Sequence, residues 1–380
     1  MNFKTVTLYS LLFGTLITSL WSNNIYLLFT FSVACWGLLP FKRRWTKTAV
    51  ALLLFSVFYF LVQQVNGNAT DSKFIQGAYI FSPLAFYWFG YDLFNRYQND
   101  NSRQKILLII LFLYLLPLFR ATFIDMALVG FINETRQLLS DMSGNKGTLA
   151  ATLYGLMSST GIGCICVLFL KKQPLLYKIS FLVVCLLSLL AVVHLVNRTG
   201  IVILVGSFLI GFIASTKMNI SKLIPALFIG MLFVLVLLNS GIVSQDILEA
   251  YTARENDSSY DASSAGGRTE AWLAGLENLF IYPFGWVTEH YHHNLWLDLA
   301  KVGGWLAFIP FCYVTLQFFK SWMNVIRFNT SSIGVMIVAV SFSSLLNACV
   351  EPTIEGSMLF FSLLMMFWGM IKRISLETYK

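Results

Sequence analysis

Apolar runs of roughly membrane-spanning length follow one another along nearly the whole chain, at about 5–20, 25–41, 48–65, 77–94, 106–130, 148–170, 179–197, 199–215, 223–243, 295–319, 331–349 and 358–371. A bilayer core is crossed by about 20 apolar residues in a helix, whose backbone polar groups are satisfied inside the segment. The succession predicts an all-α polytopic membrane protein of about twelve transmembrane helices, a single transmembrane domain over 1–380. Only 12% of the residues are charged and 57% are hydrophobic, whereas soluble domains run near 25% charged. A soluble globule has no interior large enough for that much apolar surface. The first run follows only Lys4 and lacks a small-residue cleavage site, so it reads as a retained span.

A net charge of +8 raises the question of nucleic acid. The basic residues, however, fall in short clusters between apolar runs, a pattern that orients a membrane protein and argues against nucleic-acid partners. Both termini and the loops at 42–47, 96–105, 171–178, 217–222 and 320–327 hold 18 of the 26 basic residues. The opposite loops and the spans hold 15 of the 18 acidic ones. Twelve spans with both ends cytoplasmic satisfy this asymmetry. The one long hydrophilic segment, 244–293 between spans 9 and 10, then faces away from the cytoplasm. The six cysteines lie in or beside apolar runs. Cys164 and Cys166 point different ways on a helix, so all six read as packing residues.

The external segment has two halves. ARENDSSYDASSAGGR is polar and acidic, whereas TEAWLAGLENLF places Trp272, Leu273, Leu276, Leu279 and Phe280 at helical spacing. The second half predicts an amphipathic helix on the membrane face or over the mouth of the bundle. Pro283-Phe284-Gly285 reads as a turn leading to the strip EHYHHN, residues 289–294.

Charges at or inside spans are costly and mark candidate sites. Arg198, at a span boundary in VNRTG, is by itself an interfacial arginine reaching for lipid headgroups. Its planar fork also suits a pyrophosphate. Arg268 in AGGRTEAW follows two glycines and stands at a helix start, where the dipole favours an anion; the plain alternative is a solvated loop charge paired with Glu270 or Asp261. Histidine titrates near neutrality, so an external imidazole can accept a proton from a sugar hydroxyl. His293, followed by Asn294 at the mouth of the next span, is the candidate base, with His290 beside it. Glu289, Glu277 and Asp298 can orient or replace a base, although each alone is more simply a solvated charge. The H-x-H pair His290 and His292 lacks accompanying cysteines or a distinctive carboxylate spacing, so no metal is expected. Arg120 and Asp125 share a span but stand about 140° apart on it; Arg120 is a candidate for seating an anionic donor. His194, one turn before Arg198, reads as a hydrogen-bonded bundle residue.

The order Asn-Arg-Thr-Gly at 197–200, Gly-Arg-x-x-x-Trp at 267–272, Pro-x-Gly at 283–285 and His-Asn-x-x-Leu-x-x-x-x-x-Gly from 293 resembles the O-antigen polymerase and O-antigen ligase superfamily of bacterial membrane glycosyltransferases. The resemblance covers roughly 140–310. It implies a GT-C-like bundle in the bacterial inner membrane that works at the periplasmic face without cofactor or metal. The implied donor is an undecaprenyl-pyrophosphate-linked oligosaccharide, with a chain-length regulator as a possible partner. By motif match Arg198 and Arg268 hold the pyrophosphate and His293 acts as base, with Arg120, Asn294, Glu289 and His290 as substrate-binding candidates. Asn197 departs from the family, where many relatives carry a small hydroxyl residue. The stretch from Pro283 to His293 is also short for a ligase, which must seat lipid A–core, and this favours the polymerase. A transporter or flippase, the competing class, predicts paired charges deep in several spans, and here only Arg120 and Asp125 lie deep. A purely structural scaffold leaves the external clustering without a reason.

Overall fold

The computed structural model describes residues 12, 14–18, 24–38, 45–66, 72–133, 137–140, 146–170, 173–217, 225, 247, 249–252, 268–287, 292–328, 331–354 and 356–377. The elements are helical but for one hairpin: α1 (Ile25–Leu38), α2 (Lys47–Val65), α3 (Lys73–Arg96), α4 (Asp100–Val129), β1 (Gln137–Ser140), β2 (Lys146–Ala150), α5 (Ala151–Ile162) continued by a 3-10 segment Gly163–Phe169, α6 (Leu175–His194), α7 (Arg198–Thr216), α8 (Arg268–Ile281), α9 (Leu295–Phe328), α10 (Ser332–Ala348) and α11 (Met358–Glu377).

Among the described residues seven helices are long and apolar enough to cross a membrane: α2, α4, Thr152–Phe169, α6, α7, α9 and α11. The chain is therefore a multi-pass membrane protein. Helices α1 and α10 are apolar but shorter. Helix α3 is 24 residues long, but Gln76 and its tyrosines dilute its apolarity. The run at 223–243 lies outside the described residues except Pro225, and of the run at 5–20 the described Leu12 and 14–18 are helical. The all-α expectation holds but for one short strand pair, in which Gln137 faces Ala150 and Leu138 faces Leu149 in antiparallel register.

The chain divides into two compact units, residues 1–114, 270–323 and 348–380 in the first and 115–269 and 324–347 in the second. In the first unit α11 is central and buried from Met358 to Ile371. It meets α3 closely: a Cβ at Gly90 would strike the Met366 carbonyl, and one at Gly369 the Tyr87 carbonyl. Small residues let membrane helices approach this way, with packing in place of a hydrophobic drive. Trp368 stacks on Phe318 with ring centroids 4.3 Å apart. At one end the buried Arg103 guanidinium donates to both Glu377 carboxylate oxygens, at 2.6 and 2.7 Å. At the other end Asn66 Nδ2 donates to the Phe284 carbonyl. Each of these two contacts joins segments that the charge count puts on the same side of the membrane.

In the second unit Gly163 lies against Val340 and Ser343 of α10, and Gly211 of α7 against Cys166. The buried Ser158, Ser159 and Thr160 return their hydroxyls to carbonyls one turn earlier, so α5 carries them without orphaned donors.

Candidate active site

The turn that carries His292 and His293 is built from a loop locked into a helix kink. Gly304 interrupts α9 with φ +55. A side chain there would strike the Pro283 carbonyl, and one at Gly285 (φ +90) would press on the Lys301 carbonyl. Because neither position carries a Cβ, Trp286 N–H donates to Lys301 O and Trp305 N–H to Pro283 O, each at 2.8 Å. The Pro-x-Gly motif and the glycine pair of α9 are thus two halves of one contact. Helix α8 packs beside it through Gly275, whose Cα lies under the His292 ring, and through the buried Leu279 on Trp286 and Ala300. The amphipathic helix expected over 269–280 forms, as part of α8. Of its five apolar residues only Leu279 is buried, while Leu273, Leu276 and Phe280 are exposed. Hydrophobicity does not mark Gly275, yet its missing side chain makes room for the imidazole.

Asp298, in the first turn of α9 and buried, holds the strip from below. Its carboxylate accepts His292 N–H at 2.8 Å and Asn294 N–H at 3.3 Å. His293, between those two amides, takes the left-handed conformation, φ +51, which a non-glycine residue rarely adopts. Asn294 caps α9: its side-chain oxygen accepts from Trp296 N–H and Leu297 N–H, and its Nδ2 donates to Cys349 O at 3.2 Å. The His293 side chain is 38% exposed, while its Nδ1 is buried and stands 3.5 Å from Glu351 Oε2. His292, by contrast, is buried and its Nδ1 contacts Ala271 O at 2.9 Å. Lys301, also buried, lies within electrostatic range of Asp298. An open cleft close by is lined by Asn66, Asn278, Tyr282, Gly285, Trp286 and Val287.

The arginines belong to the second unit. Arg198 is the first residue of α7, half-buried, and its Nη2 donates to Tyr251 O at 3.1 Å. Asn197 caps the helix by accepting Gly200 N–H. Val196 before it has φ +48. The preceding helix end is pinned by a buried network. His194 Nδ1 faces Phe131 O and Nε2 faces Asp125 Oδ2, each at 2.8 Å. Asn133 Nδ2 donates to that same carboxylate oxygen at 2.6 Å, and Asn133 N–H donates to His194 O. Arg268, half-buried, opens α8 with Glu270 in its first turn.

Arg120 is exposed on α4, whereas Asp125 is fully buried. Glu277 is exposed on α8. Glu289 and His290 lie outside the described residues, as does the acidic half of the loop, 253–267. Among the described residues no three His, Cys, Asp or Glu side chains gather as a metal-binding group. The sequence reading missed Glu351 and Lys301. The only signal in the sequence was a charge inside an apolar run, Lys301 in 295–319, and one just after a run, Glu351 behind 331–349. No family model matches the chain, and no curated protein matches it.

Proposed function

We propose that the chain is an O-antigen polymerase. It spans the bacterial inner membrane twelve times, and its segment 244–293 is periplasmic. The enzyme transfers an undecaprenyl-pyrophosphate-linked glycan to a sugar hydroxyl of another lipid-linked repeat unit. The observation that carries the reading is the His293 turn. A half-exposed imidazole stands at the mouth of a membrane helix with one nitrogen buried against a carboxylate, an arrangement that suits a general base. In the reaction His293 takes the proton of the acceptor hydroxyl, and the freed oxygen attacks the anomeric carbon. The bond from that carbon to the pyrophosphate oxygen breaks, and undecaprenyl pyrophosphate leaves with the electron pair, inverting the centre. Arg198 and Arg268 stabilise the departing charge, in place of a divalent cation. The imidazolium then releases its proton to water.

The ligase reading, transfer to lipid A–core, shares this chemistry, and the short stretch from Pro283 to His293 disfavours it. Lipopolysaccharide from a strain deleted for the chain separates the readings. Core bearing a single repeat unit is the outcome expected of a polymerase. Core alone with lipid-linked polymer accumulating identifies a ligase, and core alone with single units held at the cytoplasmic face identifies a flippase. Unaltered lipopolysaccharide overturns all three.

A further inference from the structure

We infer that Glu351 is the positioning residue for His293, accepting the Nδ1 proton so that the opposite nitrogen is the one that meets substrate. This rests on the reading of His293 as base. Three observations on the protein converge on it. The His293 Nδ1 is buried and 3.5 Å from Glu351 Oε2, whose side chain is only 8% exposed. The segment carrying Glu351 is tied to the histidine turn a second time, through Asn294 Nδ2 on Cys349 O. Thr353 Oγ1 donates to the Glu351 carbonyl and braces the short connection behind it.

The neighbouring carboxylates do not compete for the role. Both oxygens of Asp298 already accept backbone N–H groups, from His292 and Asn294. Glu277 is exposed on α8. A separation of 3.5 Å is long for a hydrogen bond but short for an ion pair. Apo geometry of this kind tightens when the imidazole becomes charged. Glu351 then does two things: it fixes the tautomer before the reaction, and it stabilises the imidazolium formed as the acceptor hydroxyl loses its proton. His293 takes its left-handed backbone, φ +51, in the turn that Asp298 holds through the amides on either side.

The test uses the full chain purified in detergent, with undecaprenyl-pyrophosphate-linked oligosaccharide extracted from the deletion strain as donor and acceptor. Release of undecaprenyl pyrophosphate is followed by chromatography. Glu351→Gln keeps the side-chain shape and is expected to lower kcat about 10²-fold, with KM for the lipid-linked substrate within about threefold. Combined with His293→Ala, it should slow the enzyme no further than His293→Ala alone, because residues acting through one group do not add. A residue that merely supports the fold would give losses that multiply. A folded Glu351→Gln chain within about threefold of wild type, or multiplying losses, overturns the inference while leaving His293 as base. If His293→Ala is itself mild, both readings fall together. Should Glu351→Gln not fold, Glu351→Asp carries the test. Turnover above a tenth of wild type supports the role, and turnover at the His293→Ala level in a folded chain overturns it.

Discussion

The turn before Arg198 and the turn that carries His293 solve one problem in opposite ways. Each enters a helix through an asparagine cap, and each has one non-glycine residue at positive φ, Val196 in the first and His293 in the second. Such a conformation costs on the order of 1–3 kcal/mol and persists only where the surroundings over-determine it. In the Arg198 turn the strained residue is a buried valine, and the force that holds it comes from far along the chain. Asp125, Asn133 and Phe131 converge on His194, whose bond to Asp125 spans 69 residues. In the His293 turn the strained residue is the candidate base itself, and much of the hold is local, through Asp298 four to six residues on. The first device fixes where a charge sits at a helix start; the second aims one ring.

That contrast sets an order of effects. Asp125→Ala leaves two buried side chains, the His194 ring and Asn133 Nδ2, without their shared partner and should destabilise the chain by about 3–5 kcal/mol, at about 1–3 kcal/mol for each orphaned group. Thermal unfolding in detergent measures it, and a shift corresponding to less than about 1 kcal/mol would mean that the network is ornamental. Asp298→Ala removes two backbone contacts to one carboxylate and should cost about 2–3 kcal/mol. Turnover should fall further than stability does, since the ring is left unaimed. If Asp298→Ala unfolds the chain more readily than Asp125→Ala, the ranking of distant over local hold is wrong. Smallest is Asn197→Ser, expected within about 0.5 kcal/mol of wild type with activity kept, because serine and asparagine are near-equal caps; Asn197→Ala should cost about 1 kcal/mol.

The Asn197 expectation also shows how far the sequence could be read. Asn197, which stands where many members of the superfamily that the chain resembles carry a hydroxyl residue, acts in the folded chain as the cap of α7. Helices were legible because apolar length is what a bilayer demands: the runs from 25–41 through 199–215, and from 295–319 onward, each contain a helix, although the run at 148–170 begins in β2. The hairpin was not legible, since two strands of four and five residues carry too short a pattern. His293 and Asn294 could be found because the cap and the candidate base are adjacent in sequence. Glu351 could not: it follows α10, and only tertiary packing sets it against the ring. The contact of Gly275 with the His292 ring was not legible for a related reason, because a glycine that makes room is silent to a hydrophobicity pattern. Asp125 and Arg120 were rightly kept apart by helix geometry, but the partner of Asp125 comes from another helix.

The most direct test of the account pairs donor binding with turnover in one purified preparation. The expectation for His293→Ala is a loss of about 10²–10⁴-fold in undecaprenyl pyrophosphate release, the range of a general base, with binding of the lipid-linked donor within about threefold of wild type. Arg198→Lys and Arg268→Lys should instead weaken that binding, since an ammonium does not reproduce a bidentate grip. A His293→Ala chain that releases undecaprenyl pyrophosphate within a few-fold of wild type would contradict the account.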